Sequence, residues 1–552
     1  MSPATSPSSP TQASQPSLCP PKQTNDGQSY ETDRNGSLQH NKSNNQQNPE
    51  EEEPLQARIE RLGRQRPAIF TSIWREASFV FSISMSQLMT DFFVSGFTVL
   101  LPTLIRELDI PQASSVWPAT AFSLVIASTL LVFGRLGDMW GGYPVFIGGL
   151  AWLLLWSIVA GFSVDPVMLN FCRALQGFGP AASLPSGVML MGSVYRPGPR
   201  KNLVFAIYGT SAVFGVFGGI VVAGLVGQFL RWGFFFWVGA VLTAITLVTS
   251  YFSVPHRRPE KAAESDVKMD YLGALTIICG LTLTVFSITQ SAHAPSGWQT
   301  PYIPVCFSLG ILSLCAAAYI SPQPLLPSSI FNAPAMTPLL VALFLLYGTW
   351  GIYFQNIMGA SPLQVVAWYV PLGIAGLLLS VLEGFLLHVV PGRVLLIISG
   401  LGALGSQLLL ALNSLSGGNY WAWIFPATIL STIGIDISTI YMTVFVTTVL
   451  PVAQQGLAGG LINSTLHLGV GVVLGLTDIV QSMTVEGQGL GASYKNTFWF
   501  GVAAGGASLL LMAVWGKLPT AKSDLTADEK EESMREAEEA RTPAKIEGEV
   551  RA

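Results

Sequence analysis

Charged side chains are scarce in this chain. Lysine, arginine, aspartate and glutamate make up 11% of its 552 residues, whereas a soluble globular protein carries about 25%. Hydrophobic residues account for 50% of the chain, and the charges concentrate near its two ends. This excludes an ordinary soluble domain and indicates a polytopic membrane protein.

Several chemical signatures are also missing. There is no glycine-rich phosphate loop of the Walker type, so direct drive by ATP is not expected. No nucleophile–base pair stands out, and the five cysteines lack metal-ligand spacing. We therefore expect no enzyme activity, no cofactor, no metal, no disulfide and no nucleic-acid partner.

Long apolar runs predict about fourteen membrane-spanning helices, because lipid offers no partner for free backbone groups. The expected spans are 78–101, 116–133, 145–162, 168–192, 203–229, 233–254, 271–291, 302–319, 337–356, 364–387, 394–414, 420–444, 456–480 and 497–515.

Basic residues in the loops predict the orientation. Loops on the side of the N-terminus contain Arg135, Arg196, Arg200, Lys201, Arg257, Arg258, Lys261, Lys268 and Arg393, whereas the opposite loops contain Arg106, Arg231 and Lys495. We expect both termini in the cytoplasm and a multi-pass protein of the plasma membrane, with the vacuolar membrane as the alternative.

The chain divides into five expected segments. Residues 1–72 are rich in Ser, Pro, Gln and Asn and are expected to be a disordered cytoplasmic tail. Residues 73–255 and 336–518 are expected to form two six-helix bundles, and residues 256–335 a linker with two extra membrane helices. Residues 519–552 are expected to be a cytoplasmic tail with a loose exposed helix.

A short polar stretch, Gly134 to Gly142, separates the second and third apolar runs. A glycine-rich turn with an acid and a base cannot sit in lipid, so it is expected at the membrane surface. It resembles the loop signature G-x-L-a-D-x-x-G of the major facilitator superfamily at Gly134, Leu136, Asp138 and Gly141. In that family the loop is a conformational latch. The usual bases after the acid are absent, so Arg135 or a helix end capped by Asp138 must supply the closing contact.

The fourth span contains Arg173, Gln176, Gly177 and Gly179, which match the family's R-x-x-Q-G-x-G motif. An arginine inside a span costs about 2.5–3.5 kcal/mol on insertion scales, so it needs a partner or a water-filled cavity. The resemblance assigns Arg173 to proton coupling. The alternative is an arginine that snorkels to the membrane interface.

The resemblance covers about residues 73–518. It is similar to the fungal fourteen-span drug:proton antiporters, and the run from Tyr195 to Asn202 looks closer to the aminotriazole-resistance and low-affinity ammonium-facilitator branch. It implies an all-α fold of two pseudo-symmetric six-helix bundles plus two inserted helices, working by alternating access. The first-span acid departs from the family position, Phe93, and stands at Asp91.

Two stripes of small residues support this symmetry. The fifth span carries Gly215, Gly219 and Gly227, and the thirteenth carries Gly459, Asn463, His467, Gly471 and Gly475. Such stripes let helices approach closely. A weaker echo of the loop motif occurs after the tenth span, where His388 takes the place of Asp138 and Arg393 follows.

Ionisable groups within spans are candidates for proton coupling. Asp91 is the first candidate, with Arg173 as its counter-charge, and a structural polar cluster is the alternative. Asp436 is the candidate in the second half. His467 could titrate near neutral pH or pack as a hydrogen-bonded side chain. Glu383 is either a gate or a rim residue.

The expected substrate cavity has polar and aromatic members. They are Gln87, Gln176 and Asn463, together with Tyr347, Trp350 and Tyr353 of the ninth span. Aromatic walls suit amphipathic organic compounds, although tyrosine and tryptophan also form belts at membrane interfaces.

These features predict a proton-coupled exporter of small toxic organic compounds, such as drugs or secondary metabolites. Its expected partners are protons, a small-molecule substrate and the lipid bilayer, and we expect it to act as a monomer. A facilitator of ammonium or borate is the alternative within transport. A transporter-like nutrient sensor is the alternative of another class.

Overall fold

The computed structural model describes residues 54–111, 117–256, 269–294, 296–320, 324–327, 330–331, 333–346, 362–413, 419–516, 518 and 520–536. These belong to one compact unit, Pro54–Ala552. The described residues are helical or irregular and contain no strand, so the predicted all-α class is confirmed.

The described helices follow the predicted spans closely. They are α1 Leu55–Arg64, α2 Ile73–Glu107, α3 Trp117–Trp140, α4 Gly142–Ala160, α5 Pro166–Val194, α6 Pro199–Phe229, α7 Gly233–Ser253, α8 Tyr271–Ser291, α9 Tyr302–Ile320, α10 Met336–Leu346, α11 Pro362–Val389, α12 Gly392–Leu412 and α13 Phe425–Val449. The helical run Gln455–Trp515 is interrupted at Gly489, whose φ of 79° lies in the left-handed region. It gives two spans, α14 Val452–Val485 and α15 Gly491–Trp515. A last helix, α16, covers residues 527–536.

Eleven of the described segments are long and apolar enough to cross a membrane. Helices also stand at the other three predicted places. These are α5, which carries Arg173 and two internal prolines, α9, whose apolar part is Tyr302–Ala317, and α10, described only to Leu346. The chain is therefore an integral, multi-pass membrane protein.

Short polar side chains set several helix starts. Asp165 accepts hydrogen bonds from the backbone N–H groups of Val167 and Met168, both at 2.9 Å, at the start of α5. Asp270 accepts one from Gly273 at 2.8 Å at the start of α8. Each acid satisfies donors that the first helical turn leaves free.

The membrane helices pack as two groups. Helices α2 to α7 pack among themselves, as do α10 to α15, and we call these the first and second helix groups. They meet along two seams, one between α6 and α11 and the other between α3 and α14. The inserted helices α8 and α9 pack on each other, and α8 also contacts α3 and α14.

The two seams differ in length. Gly373, Gly376 and Gly384 of α11 lie against side chains of α6 at successive levels. In contrast, α3 and α14 approach closely near Gly134 and Gly456. At the other end of this seam α8 intervenes, because the Trp117 ring of α3 stacks on Phe286 of α8 at 5.3 Å between ring centroids and donates a hydrogen bond to Gln290 at 2.9 Å.

One end of the bundle carries both described terminal segments, and we call it the terminal face. There, Gly63 of α1 lies against Pro197 of the α5–α6 loop and Ser523 of the C-terminal segment. The gate described below lies at this face.

Candidate transport cavity and gate

A cavity lies between the two helix groups. Its polar lining consists of Gln87 of α2, Tyr208 of α6, Asp436 of α13 and Asn463 of α14, together with Thr439 and Thr443. The empty space between these residues, including the part that is open to solvent, is about 510 Å³. Both helix groups therefore contribute to one candidate binding site.

Asp91 is linked to this cavity through Gln87. The Tyr208 hydroxyl donates to Gln87 Oε1 at 2.6 Å, and Gln87 Nε2 donates to Asp91 Oδ2 at 2.7 Å. Asp91 is half-buried. A change in the protonation of the Asp91 carboxyl can therefore affect Gln87, a cavity-lining side chain, through one hydrogen bond.

Asp436 faces the cavity directly. Its side chain is buried, and its Oδ2 atom has no hydrogen-bond partner among the described residues. Asp91 and Asp436 are close enough for their charges to interact, as are Asp436 and Glu383. Carboxylate oxygens left without donors in a low-dielectric site are strong acceptors for a proton or a cationic group.

Glu383 is more deeply placed than the sequence suggested. It is 1% exposed, and neither carboxylate oxygen has a hydrogen-bond partner in the described part of the chain. The interpretation of Glu383 as a rim residue is therefore wrong. Its position near the end of the predicted span suggested the rim, but its carboxyl lies in the interior, within electrostatic range of Asp436 of α13.

Arg173 does not pair with Asp91, so the predicted counter-charge is not observed. Its guanidinium is fully buried and donates to the carbonyls of Pro118 and Phe93, at 3.1 and 3.2 Å, and to Gln176 Oε1 at 2.8 Å. It also lies 4.3 Å from the Phe97 and Phe122 ring centroids. Arg173 ties α2, α3 and α5 together with neutral acceptors and aromatic faces.

Gln176 belongs to this buried cluster and is not a cavity residue. Its Nε2 atom donates to Ser157 Oγ of α4 at 2.7 Å, and its side chain is 0% exposed. Four helices of the first group are thus joined through Arg173 and Gln176. The cavity lies elsewhere, at Gln87 and Tyr208.

The displacement of the first-span acid has a local reason. The Phe93 ring packs against Phe92, Phe122, Phe235 and Phe236, and it is completely buried. A carboxylate at that position would lose its hydration inside an aromatic cluster. Asp91, two residues earlier, instead reaches Gln87.

The gate lies at the terminal face, where Asp138 caps the start of the Gln455–Trp515 run. Its Oδ1 atom accepts from the Gly456 N–H at 2.7 Å and its Oδ2 atom from the Leu457 N–H at 2.9 Å. Asp138 is 1% exposed, and a buried carboxylate at a helix N-terminus is favoured by both hydrogen bonding and the helix dipole. We call this pair of bonds the gate contact.

Glycine makes the gate contact possible. A Cβ atom on Gly456 would lie 2.3 Å from the Gly134 carbonyl oxygen, and one on Gly134 would lie 2.6 Å from the Gly456 carbonyl oxygen. The stretch predicted as a turn is mostly helical, because α3 continues to Trp140 and α4 begins at Gly142. The chain turns at Gly141, whose φ of 94° a glycine adopts without strain. Arg135 is buried beside Asp138, within electrostatic range.

Lys201 makes a second polar contact across the two groups, which the sequence did not single out. Its Nζ atom at the start of α6 donates to the Thr447 carbonyl at 2.9 Å and to Thr448 Oγ1 at 3.3 Å, at the end of α13. A cation is favourable at a helix C-terminus. The α13–α14 loop is therefore held at both ends by opposite charges of the first group.

The echo of the loop motif does not reproduce the gate contact. His388 Nδ1 is buried without a hydrogen-bond partner in the described residues. Arg393 donates to the Ala513 carbonyl of α15 at 3.0 Å, inside its own helix group. The N-terminus of α6, at Gly198, receives no side-chain cap.

The glycine stripes mediate close packing at some positions only. At Gly215 and Gly219, an added Cβ atom would lie 2.4 and 2.5 Å from backbone oxygens of α2. At Gly459, it would lie 2.8 Å from the Pro185 carbonyl oxygen of α5. A Cβ atom on Gly475 would lie 2.7 Å from the Ile288 side chain of α8. At Gly227 and Gly471, an added Cβ atom would lie 3.4 Å or more from its nearest neighbour, which is an ordinary contact distance.

The remaining predicted residues divide into two sets. His467 is half-buried and is not among the described residues that line the cavity. Tyr347, Trp350 and Tyr353 lie outside the described residues, so their predicted place in the cavity stays a prediction. No cluster of three or more potential metal ligands occurs in the described ranges.

Two helix groups around a shared cavity, joined at one face by a buried acid of α3, are the arrangement expected of a membrane transporter. A sequence model of the Major Facilitator Superfamily matches residues 83–474. The chain belongs to this superfamily, as its motifs predicted, and it is a transporter and not an enzyme.

Relatives with known names agree with this assignment. The low affinity ammonium transporter of Saccharomyces cerevisiae is 31% identical over 83% of this chain and 92% of its own length. The efflux pump terJ of Aspergillus terreus is 30% identical over 80% and 88%. Among solved structures, the proton:xylose symporter XylE aligns over 82% of this chain and 97% of its own, with 13% identity and a TM-score of 0.58, which shows the fold alone.

Proposed function

We propose that this protein exports small toxic organic compounds in exchange for protons by alternating access. The observation that carries the proposal is the cavity shared by both helix groups, where Asp436 presents a carboxylate oxygen without a hydrogen-bond donor. A proton and a substrate can compete for such a group. The similarity to the efflux pump terJ supports export.

In this proposal residues 73–255 and 336–518 form the two bundles that rock about the cavity, with residues 256–335 inserted between them. The terminal face is cytoplasmic, in agreement with the loop charges. The gate contact holds that face closed, and its breakage opens the cavity to the cytoplasm. Residues 1–72 and 519–552 belong to cytoplasmic tails, and the plasma membrane is the proposed location.

Protons act through Asp91 and Asp436. Because the two carboxyls are within electrostatic range, ionisation of one opposes ionisation of the other. Protonation of Asp91 changes its bond with Gln87, which lines the cavity. Arg173 holds the helices that carry this chain of bonds and does not exchange the proton.

The test is transport in inside-out vesicles with an imposed pH gradient. We expect Asp436→Asn to abolish uptake driven by the gradient and Asp436→Glu to retain part of it, because only the latter keeps a titratable group. Asp478→Asn is the matched control, since Asp478 lies in α14 but is not among the described lining residues. Unchanged gradient-driven transport by Asp436→Asn would exclude Asp436 as a coupling group.

A facilitator of a small inorganic solute is the second candidate. The similarity to the low affinity ammonium transporter favours it. Growth of a transporter-deleted yeast that expresses this chain, on drugs, methylammonium and borate, distinguishes the two. Resistance to organic compounds supports export, and sensitivity to methylammonium alone supports facilitated entry.

A further inference from the structure

The C-terminal segment of residues 520–536, which we call the strap, bonds to both helix groups at the terminal face. The Ala521 N–H donates to the Leu387 carbonyl of α11 at 3.0 Å. The Ala521 carbonyl accepts from Asn202 Nδ2 of α6 at 2.8 Å. A single residue of the strap thus joins the second group to the first, across the seam between α6 and α11.

Two consecutive acids of the strap repeat this pattern. Asp528 Oδ2 accepts from the N–H of Val452, the first residue of α14, at 3.2 Å. Glu529 forms an ion pair with Arg196 of the α5–α6 loop. Neighbouring side chains of α16 therefore bind opposite helix groups, and both interactions must be broken or stretched if the groups separate at this face.

The strap is built to present these acids. Glu529 Oε2 accepts from the Thr526 N–H at 2.9 Å, and Thr526 Oγ1 accepts from the Glu529 N–H at 3.3 Å. This reciprocal pair is a capping box, which fixes the start of a helix. The helix start places Asp528 and Glu529 side by side at the boundary between the two groups.

The strap also lies at the seam where the described residues form no contact equivalent to the gate contact. At the seam between α3 and α14, Asp138 bonds one group to the other. At the seam between α6 and α11, His388 has no such bond and α6 has no side-chain cap. The strap crosses this second seam, at Leu387 and Asn202.

We propose that the strap is a second latch, which holds the terminal face closed and must undock before the cavity opens there. This rests on the rocking motion of the proposed function. A change that neutralises or displaces Asp528 and Glu529 would then raise the population of the state open at the terminal face without altering the cavity. The C-terminal tail becomes a point at which transport can be regulated.

The experiment measures opening directly, without a substrate. A reporter cysteine, Val188→Cys, is placed in the full chain after its five native cysteines are replaced. Val188 is fully buried, and a Cβ atom on Gly459 would lie 2.9 Å from its own Cβ, so separation of the two groups exposes it. The rate of maleimide labelling is measured in lipid nanodiscs, where both faces are accessible.

The test variant is Asp528→Asn with Glu529→Gln. Its matched control, Asp524→Asn with Glu531→Gln, removes two negative charges from acids whose described ion pairs lie within the strap, with Lys530 and Arg535. We expect the test variant to raise the labelling rate about 5- to 30-fold, as loss of two partly exposed charged contacts implies. The control should remain within about 2-fold of the parent.

Equal rates in the test variant and the control would overturn the proposal. Exchanging the charges of Arg196 and Glu529 distinguishes loss of their contact from misfolding of a variant. Arg196→Glu alone should accelerate labelling, and Arg196→Glu combined with Glu529→Arg should return the rate toward that of the parent; failure of this rescue also overturns the proposal. Because labelling requires no substrate, absence of transport alone would count against the proposed function and not against the strap.

Discussion

The gate contact gives the sharpest prediction. Asp138→Asn keeps the shape of the side chain but replaces one carboxylate oxygen by an NH₂ group, so only one of the two bonds to Gly456 and Leu457 can form. The loss of one charge-assisted bond, and of the charge that faces the helix N-terminus, destabilises the closed state by about 2 kcal/mol. That is a rise of about 30-fold in the open-to-closed ratio at the terminal face.

Labelling of the Val188→Cys reporter in nanodiscs measures this ratio. The control is Asp165→Asn, because Asp165 also accepts two backbone N–H groups at a helix start, both at its Oδ1 atom, and lies within one helix group. We expect faster labelling for Asp138→Asn and an unchanged rate for Asp165→Asn. If Asp138→Asn labels at the parental rate, the gate contact does not hold the terminal face closed.

Three further predictions follow from the packing and the strap. Gly456→Ala should hinder closure and accelerate labelling of the reporter, since its Cβ atom would lie 2.3 Å from a backbone oxygen, whereas Gly218→Ala, with nothing within 4 Å, should have no effect. Arg173→Lys cannot reach three separate acceptors and should lower folded-state stability by about 2–4 kcal/mol, measured by unfolding in SDS; unaltered stability would show that the fork geometry is dispensable. The pKa of Glu529 is lowered, because its bonds with Thr526 and Arg196 outweigh the opposing effect of burial. Its contribution to docking is therefore complete above the ordinary glutamate pKa of 4.5 and is lost as the pH falls below it. Amide exchange of the strap, corrected for intrinsic pH dependence, should stay slow from neutral pH to about pH 4.5 and accelerate at lower pH.

The places of the spans could be predicted from the sequence, because lipid imposes a length and a polarity on every helix. The turn was predicted too long, since α3 continues through Asp138 to Trp140. The role of Asp138 as a cap on a helix end was also accessible, since a buried acid beside glycines has few other partners. The helix that Asp138 caps could not be predicted, because Asp138 and Gly456 are 318 positions apart in the sequence.

The contacts of the buried polar groups could not be predicted, because they depend on how each helix is rotated and tilted against its neighbours. Arg173 was expected beside an acid, yet carbonyl oxygens and aromatic rings satisfy it. Glu383 was placed at a rim and lies in the interior. The strap was expected as a loose helix, and its bonds to Leu387 and Asn202 appear only when the helices are assembled.

The unequal seams have a consequence for molecules dissolved in the bilayer. Because α11 follows α6 at successive levels while α8 lies at the splayed end between α3 and α14, a helix occupies each seam along its described part, which would hinder sideways entry of an acyl chain. The inserted helix α8 therefore lies where lipid would otherwise meet the splayed end of the seam between α3 and α14.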